Sequence, residues 1–347
     1  MSKWYIDAGP DSDIVVSSRV RLARNFEAYP FPQRSTKEDQ ENIINETCNA
    51  LFTGHPELKE SLSLVRFKEL QPIQRQVLVE KHLISKELTE SNHETAALIS
   101  DDEHITIMIN KDDHLRIQCL AAGMQLDKAF ELCNFLDDTI SEKIDYAFDD
   151  KIGYLTSCPT NAGTAIRVSI MLHLPALTMT GYIRAFLDSC GKLGLAVRGL
   201  YGENTEAYGN MYQLSNQITL GKSEKDIVES IKSIGHQIIE QERLLRKELL
   251  KRNTRKFEDR IMRSYGILKF SRILTSEEAL KRLSDIRLGI NLGIIKDMSE
   301  MDVNEMVLKI QPGSLQKYAG KLLKPDDRDS IRAEYVRNKI DEKHNLL

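Results

Sequence analysis

The stretch DIVVSSRVRLARN, Asp13 to Asn25, opens on an apolar triplet and then places arginines at 19, 21 and 24. Ile14-Val15-Val16 followed by alternating residues reads as a β-strand, because β-branched side chains fit a pleated surface. On such a strand Ser17, Arg19 and Arg21 share one face, while Ser18, Val20 and Leu22 share the other. Arg24 is out of phase with the pair and is left a structural role. By itself the segment is a half-buried strand with one solvated, charged face. The sharper reading is a pair of guanidinium forks, planar and always cationic, spaced to clamp an oxyanion.

Composition narrows the choice. The chain has 347 residues, enough for two domains, with 41% hydrophobic and 29% charged residues, as expected of a globular protein with a sizeable core. Its net charge of −4 supplies no general field for nucleic acid or an anionic membrane, so neither is expected as a partner. The five cysteines (Cys48, Cys119, Cys133, Cys158 and Cys190) are odd in number, scattered and without a CxxC pair. That pattern points to reduced cytosolic thiols, with no zinc site and no disulfide framework. MSKWYIDAGPDSD carries no basic-then-apolar leader and no apolar run reaches the length of a membrane span, so a cytoplasmic protein is expected.

From Asp13 to about Gly221 the pattern is mixed. DIVVSSRV, RQVLVEKHLI, TAALISD, HITIMIN, HLRIQCLA and QITLG read as strands, and KEDQENIINETCNALFTG and MQLDKAFELCNFLDDTISEKI as helices. Short strands with helices in blocks predict an α+β fold built on an antiparallel sheet flanked by helices. After Ser223 the chain turns helical. SEKDIVESIKSIGHQIIEQERLLRKELLKRN opens on a Ser cap and repeats isoleucine at 227, 231, 234 and 238; TSEEALKRLSDIRLGINLGI and KPDDRDSIRAEYVRNKIDEK follow with capping signals of their own. The expected organisation is a mixed domain over 1–255 and an all-helical C-terminal domain over 256–347.

Phosphate-cradling loops are absent. There is no GxGxxG, and LGKS at Leu220 to Ser223 fails as a Walker A loop because the first glycine would fall at Asn216. Any phosphate must be held by side chains. MINKDDHLRIQ supplies Asp112, Asp113, His114 and Arg116 at a strand end; SCPTNAGTAIR supplies Cys158 in a tight turn and then Arg167. VRGLYGENTEAYGN supplies Arg198, Glu203 and Glu206, and KHLIS places His82 in a strand. Taken singly, each is a surface charge, a core histidine or a structural cysteine.

In their order along the chain, VSSRVRLARN, DDHLRIQ, CPTNAGTAIR and RGLYGEN with SNQITLG resemble the catalytic domain of the phosphagen (guanidino) kinases, over roughly residues 13 to 255. Within that family the chain is most similar to the bacterial protein arginine kinases. SSRVR begins at residue 17, without room before it for the small helical domain of the metabolic members. Arg328-Asp329-Ser330-Ile331-Arg332-Ala333 also resembles their RDxxRA motif.

The resemblance implies a kinase that uses ATP and Mg²⁺ to phosphorylate arginine side chains of proteins. It implies that Arg19, Arg21, Arg116, Arg167 and Arg198 hold the nucleotide phosphates and that His82 touches the adenine. Glu203 and Asp112 would hold the substrate guanidinium, with Asp112 as base and Cys158 as a thiol beside the substrate. Arg328, Asp329, Arg332 and Ala333 would form an allosteric phosphoarginine site in a helical domain that also makes a homodimer. The implied partners are proteins with exposed arginines, a zinc-containing activator protein and a Clp ATPase that degrades marked proteins in stress control.

One position departs from the family. The pattern NEEDH is NKDDH here, so Asp112 stands where a Glu is expected, about 1.5 Å shorter in reach. Misplacement on that scale can cost on the order of 10²-fold in rate. That makes a catalytically weakened phosphoarginine-binding adaptor one alternative; a kinase of free arginine or another small guanidino compound is another. The chemistry favours the kinase. Phosphoryl transfer needs positive charge around the phosphoryl oxygens, and a guanidinium needs carboxylates to orient it and take its proton.

Overall fold

The computed structural model describes residues 3–90, 93–201 and 207–344. Strand β1 (Val15–Arg24) leads to α1 (Lys37–Phe52), α2 (Pro56–Ser61), β2 (Leu62–Arg66), α3 (Pro72–Glu80) and α4 (Lys86–Thr89). Next come β3 (Ala96–Ser100), β4 (Ile105–Ile109), β5 (Leu115–Ala122), α5 (Leu126–Ser141) and a short hairpin of β6 (Phe148–Asp149) and β7 (Gly153–Tyr154). The mixed region closes with β8 (Ile166–His173), α6 (Pro175–Met179), α7 (Ile183–Lys192), β9 (Leu195–Tyr201) and β10 (Ala207–Asn216). Helices follow: α8 (Glu224–Arg252), α9 (Thr254–Phe270), α10 (Ser276–Asn291), α11 (Glu300–Lys309), α12 (Pro312–Ala319) and α13 (Pro325–His344).

The strands form an eight-stranded sheet in the order β2-β3-β4-β5-β1-β8-β10-β9, antiparallel at each described pairing, which is the expected α+β fold. β1 lies near the middle, paired to β5 on one side and β8 on the other. One face of the sheet is apolar. Val20, Leu22, Ile117, Cys119, Val168 and Ile170 pack there with Leu126, Cys133 and Leu136 of α5 and Ile231 and Ile238 of α8 into one buried core. That alternation is the sequence period of two, realised.

Helix starts follow their caps. Thr36, Ser223 and Ser299 each close a capping box with an Asp three residues on, and Thr275 caps α10. α8 belongs to the sheet's core through Ile227, Val228, Ile231 and Ile238, whereas Phe257, Ile261, Leu283, Val303, Leu315 and Val336 form a second core in the helices beyond it.

Two expected strands are not strands. RQVLVEKHLI lies mostly in α3, which starts at Pro72 and buries Val77 and Glu80. The Val77–Val79 alternation imitates a strand, but proline at the first helical position and docking against α12 decide for helix. QITLG is loop: β10 ends at Asn216, and Ile218 and Leu220 are exposed. Thr219 instead ties this loop to the turn after Cys158, its hydroxyl donating to the Ala162 carbonyl at 2.6 Å.

Candidate active site

The polar face of the sheet gathers the arginines. In the strand register Arg21 of β1 lies opposite Arg167 of β8, Ala23 opposite Arg116 of β5, and Arg19 opposite Ser169. Gln213 of β10 pairs with Met171 on one side and Arg198 of β9 on the other, which puts Arg198 on the same face. Arg19, Arg21, Arg116, Arg167 and Arg198 thus come from four strands and project to one side. Antiparallel pairing keeps odd residues of β1 in register with odd residues of β8 and even residues of β5, so the sidedness is forced.

Among the described residues Arg19, Arg21 and Arg167 have no carboxylate partner, and Arg116 alone of the cluster's core meets acidic groups, Asp112 and Asp113. Arg21, Arg116, Asn161 and Arg167 line a pocket of about 90 Å³. Nε of Arg21 and Nε of Arg167 are buried without a hydrogen-bond partner among the described residues. Among the described residues Arg19 has only a long bond from its Nε to the Ser169 hydroxyl, at 3.4 Å, and Arg167 a similar one to Ser215. Burial, then the neighbouring Arg167 and Arg116, pushes Arg19 down to about 10. Burial also drives Arg21 well below its ordinary value, followed by the charges of Arg19, Arg116, Arg167 and Arg198. A polyanion set among them would supply the missing acceptors and reverse the repulsion. The donor set therefore suits a triphosphate.

His82 is not in a strand. It follows α3 in the left-handed region, with φ of 60°, and lines a recess beside Arg19 together with Trp4, Leu120, Met171 and Gln213. Burial, then Arg19, pushes His82 down to about 4, so the ring is neutral at pH 7. Trp4, Met171 and Gln213 were not legible as site residues; only the register of β8 and β10 and the docking of the N-terminal segment bring them here.

The β4–β5 turn holds the acidic groups. Asp112 is half-exposed, its carboxylate 2.8 Å from the Lys111 ammonium and 3.4 Å from the Arg116 guanidinium. Asp113 is buried; its Oδ1 accepts from Asn25 Nδ2 at 2.9 Å and from the Ser157 amide at 2.7 Å. Its Oδ2 is buried, has no hydrogen bond among the described residues and lies 3.9 Å from Arg116. Ser157 also donates its hydroxyl to the Asp112 carbonyl at 2.5 Å, so the Cys158 turn is fastened directly to the acidic turn. Cys158 itself is exposed, with its sulfur 3.0 Å from the Thr160 hydroxyl. His114 takes the Phe26 amide on Nδ1 and meets the Pro30 carbonyl through Nε2, both at 2.9 Å, which makes it a fastener of the turn. Glu203 and Glu206 lie outside the described residues.

Arg24 has the structural role its phase implied. It is buried on the opposite face, ion-paired to Asp137 of α5 at 2.6 Å and to Glu224 at the start of α8 at 3.3 Å, with the Tyr154 ring 3.5 Å away.

The C-terminal motif divides in two. Arg332 is buried, donating to the Ile310 carbonyl at 3.0 Å and the Leu274 carbonyl at 2.8 Å and pairing with Asp329. Ala333 is buried too. Neither presents itself to solvent, because α13 packs against α9 and α12 on that side. Arg328 and Asp329 are half-buried at the helix start. Among the described residues no three His, Cys, Asp or Glu side chains converge as a metal site, and no helix is long and apolar enough to cross a membrane.

Residues 42–245 match the family of the ATP:guanido phosphotransferase, C-terminal catalytic domain, and residues 254–346 match the protein-arginine kinase McsB C-terminal domain. The chain is 51% identical over 343 residues to the protein-arginine kinase of Geobacillus sp. (strain WCH70), spanning 98% of this chain and 94% of that one. It is 48% identical over 340 residues to the protein-arginine kinase of Bacillus subtilis (strain 168), spanning 98% and 93%. Among solved structures, the duplicated taurocyamine kinase from Schistosoma mansoni with bound transition state analog components superposes with a TM-score of 0.60 at 27% identity, over 69% of this chain and 34% of that one. Lombricine kinase shares the fold, with a TM-score of 0.59 at 23% identity over 67% of each chain.

Proposed function

The chain belongs to the ATP:guanido phosphotransferases, among the protein-arginine kinases, and from that premise we propose how its residues transfer the ATP γ-phosphoryl group to arginine side chains of proteins. The observation that carries the reading is the arginine face with its orphaned Arg21 and Arg167 donors. Arg21, Arg116 and Arg167 surround the transferring phosphoryl group, Arg19 and Arg198 flank the rest of the triphosphate, and the base lies in the recess of His82, Trp4 and Met171. Mg²⁺, carried on the nucleotide phosphates and waters, would neutralise charge at the leaving oxygen.

A guanidinium is cationic and a poor nucleophile until one proton leaves. Asp112, 3.4 Å from Arg116, accepts that proton as the nitrogen–phosphorus bond forms. The bond from phosphorus to the β-phosphate oxygen breaks, and ADP departs with the electron pair. Glu203 holds the other edge of the guanidinium fork. Asp113, through Ser157 and Asn25, sets the acidic turn and the Cys158 turn against each other, and Cys158 borders the acceptor.

Further parts of the proposal rest on the family. Residues 1–255 act as the catalytic unit and 256–347 as a helical unit for homodimer contact. Phosphoarginine docks there on Arg328 and Asp329, with Arg332 positioning Asp329 from within. A zinc-containing activator and a Clp ATPase are the expected partners, in the cytoplasm. Incubation with Mg-ATP and either an unfolded, arginine-rich protein or free L-arginine tests the reading, with products read by mass spectrometry under non-acidic conditions. Acid-labile phosphate on protein arginines supports it; phosphate on the free amino acid alone overturns it.

A further inference from the structure

A further pocket, of about 320 Å³, lies where α3 meets α11, α12 and α13, apart from the arginine pocket and the His82 recess. That volume is in the range of small-molecule sites. Four lysines line it, Lys81, Lys309, Lys317 and Lys339, against one carboxylate, Glu305. Lys81 is held by Glu103 at 2.6 Å, and Lys339 stands 3.5 Å from both Glu305 and Glu342. Lys309 and Lys317 have no ion pair among the described residues. Cations from separate helices crowded into one recess repel one another unless an anion joins them.

Tyrosine supplies an independent observation. Tyr335 lines the same pocket, is 6% exposed, and its hydroxyl is buried without a hydrogen-bond partner among the described residues. Its ring meets that of Tyr318 edge-on at 5.4 Å. Buried hydroxyls are nearly always satisfied, so an orphaned phenol beside unpaired ammoniums marks a place for an acceptor.

We propose that this pocket binds the dianionic phosphoryl group of a small organic phosphate, with Lys309, Lys317 and Tyr335 as donors. The charge surplus favours a dianion over a carboxylate, and the Tyr318–Tyr335 wall leaves room for an organic body next to the phosphate. The site is separate from the arginine face and from Arg328 and Asp329, which do not line it.

The pocket also adjoins the nucleotide recess. Lys81 directly precedes His82, and Glu80 is bolted to the first turn of α12, accepting from the Gly313 amide at 2.6 Å, the Ser314 amide at 2.8 Å and the Ser314 hydroxyl at 2.9 Å. An anion drawing Lys81 and Lys309 together braces the end of α3 and so fixes His82. Occupancy therefore tightens ATP, a coupling that rests on the nucleotide reading above, whereas binding itself does not.

Calorimetric titration of the full chain without nucleotide, using inorganic phosphate and phenyl phosphate, tests the site. Saturable binding is expected in wild type and in Arg21→Ala, about tenfold weaker in the Lys309→Ala/Lys317→Ala double variant and weakened in Tyr335→Phe. Tighter binding of phenyl phosphate identifies an organic phosphate; equal affinities identify free phosphate as sufficient and overturn the role given to the tyrosine wall. Binding lost in Arg21→Ala but kept in the lysine variant assigns the anion to the arginine face and overturns the site. For the coupling, phenyl phosphate is expected to lower the KM for ATP about fivefold at constant kcat in wild type and not in the lysine variant. An unchanged KM with binding intact overturns the coupling alone.

Discussion

Arg21 and Arg167 stand directly opposite each other on neighbouring antiparallel strands, and the Nε of each is buried with no acceptor among the described residues. Like charges in cross-strand register cost stability, by up to about 1 kcal/mol for a pair. A protein that keeps such a pair in mid-sheet is held ready for an anion. We predict that Arg21→Met raises the melting temperature of the nucleotide-free protein while lowering kcat/KM for ATP on the order of 10³-fold. Thermal unfolding and steady-state kinetics on the same preparation check both halves. A variant that loses stability and activity together would make the arginine structural.

Asp112 is the second test. Restoring the longer carboxylate in Asp112→Glu is expected to raise kcat, by on the order of tenfold or more if reach is what limits the rate. Asp112→Asn should lower it by roughly 10²-fold or more, the loss of a general base. Phosphate incorporated into an unfolded protein acceptor is the readout. Transfer by the Glu variant only would identify the natural chain as a degenerate enzyme.

Arg24 should behave as the opposite of Arg21. Its buried partner Asp137 holds it at 2.6 Å, so Asp137→Ala leaves the buried guanidinium with only the longer Glu224 contact at 3.3 Å. Breaking such a pair from one side costs about 3–5 kcal/mol. Chemical denaturation is expected to show that loss, with the KM for ATP close to that of wild type.

Acid should destabilise the nucleotide-free fold through His82. Burial, then Arg19, holds its folded value near 4, below the ordinary 6.5, so the unfolded chain binds the extra proton first. Stability is therefore full above pH 6.5 and falls as the pH drops from 6.5 towards 4, by up to about 3 kcal/mol from this group. His82→Gln is expected to flatten that limb of the stability–pH curve. An unchanged slope would place the acid sensitivity elsewhere, with the buried, depressed His173 as the next group to replace.

The two arginines of the C-terminal motif are separable. Arg332→Ala removes donors to two buried carbonyls and should unfold the helical region at lower denaturant concentration. Arg328→Ala is expected to leave stability within about 0.5 kcal/mol while reducing capture of a phosphoarginine peptide. Equal destabilisation by both would end the division of roles.

Much of the sheet was readable from local pattern. Period-two alternation on β1 put Arg19 and Arg21 on one face and left Arg24 out of phase, and the caps at Ser223 and Thr275 marked where helices begin. Those signals are local, since side-chain direction in a strand and orphan amides at a helix start depend on a few adjacent residues. α3 imitates a strand locally because Val77 and Val79 alternate as strand residues do. What makes it a helix includes the seat Glu80 finds on α12, more than two hundred residues away along the chain.

The sequence by itself determined which residue types are available for phosphate, five arginines at strand positions in an acidic chain without a phosphate loop, and the ordered motifs that carry the family. Only the tertiary structure decided their company. Strand register set Arg21 against Arg167 with no carboxylate between them, and gave Arg24 to Asp137 on the other face. Helix packing turned Arg332 inward while leaving Arg328 at the helix start, and collected four lysines and an unpartnered tyrosine into one recess. Whether a charge is a ligand-binding group or a structural bolt depends on what faces it across the fold, and contacts between distant segments are not written in local spacing.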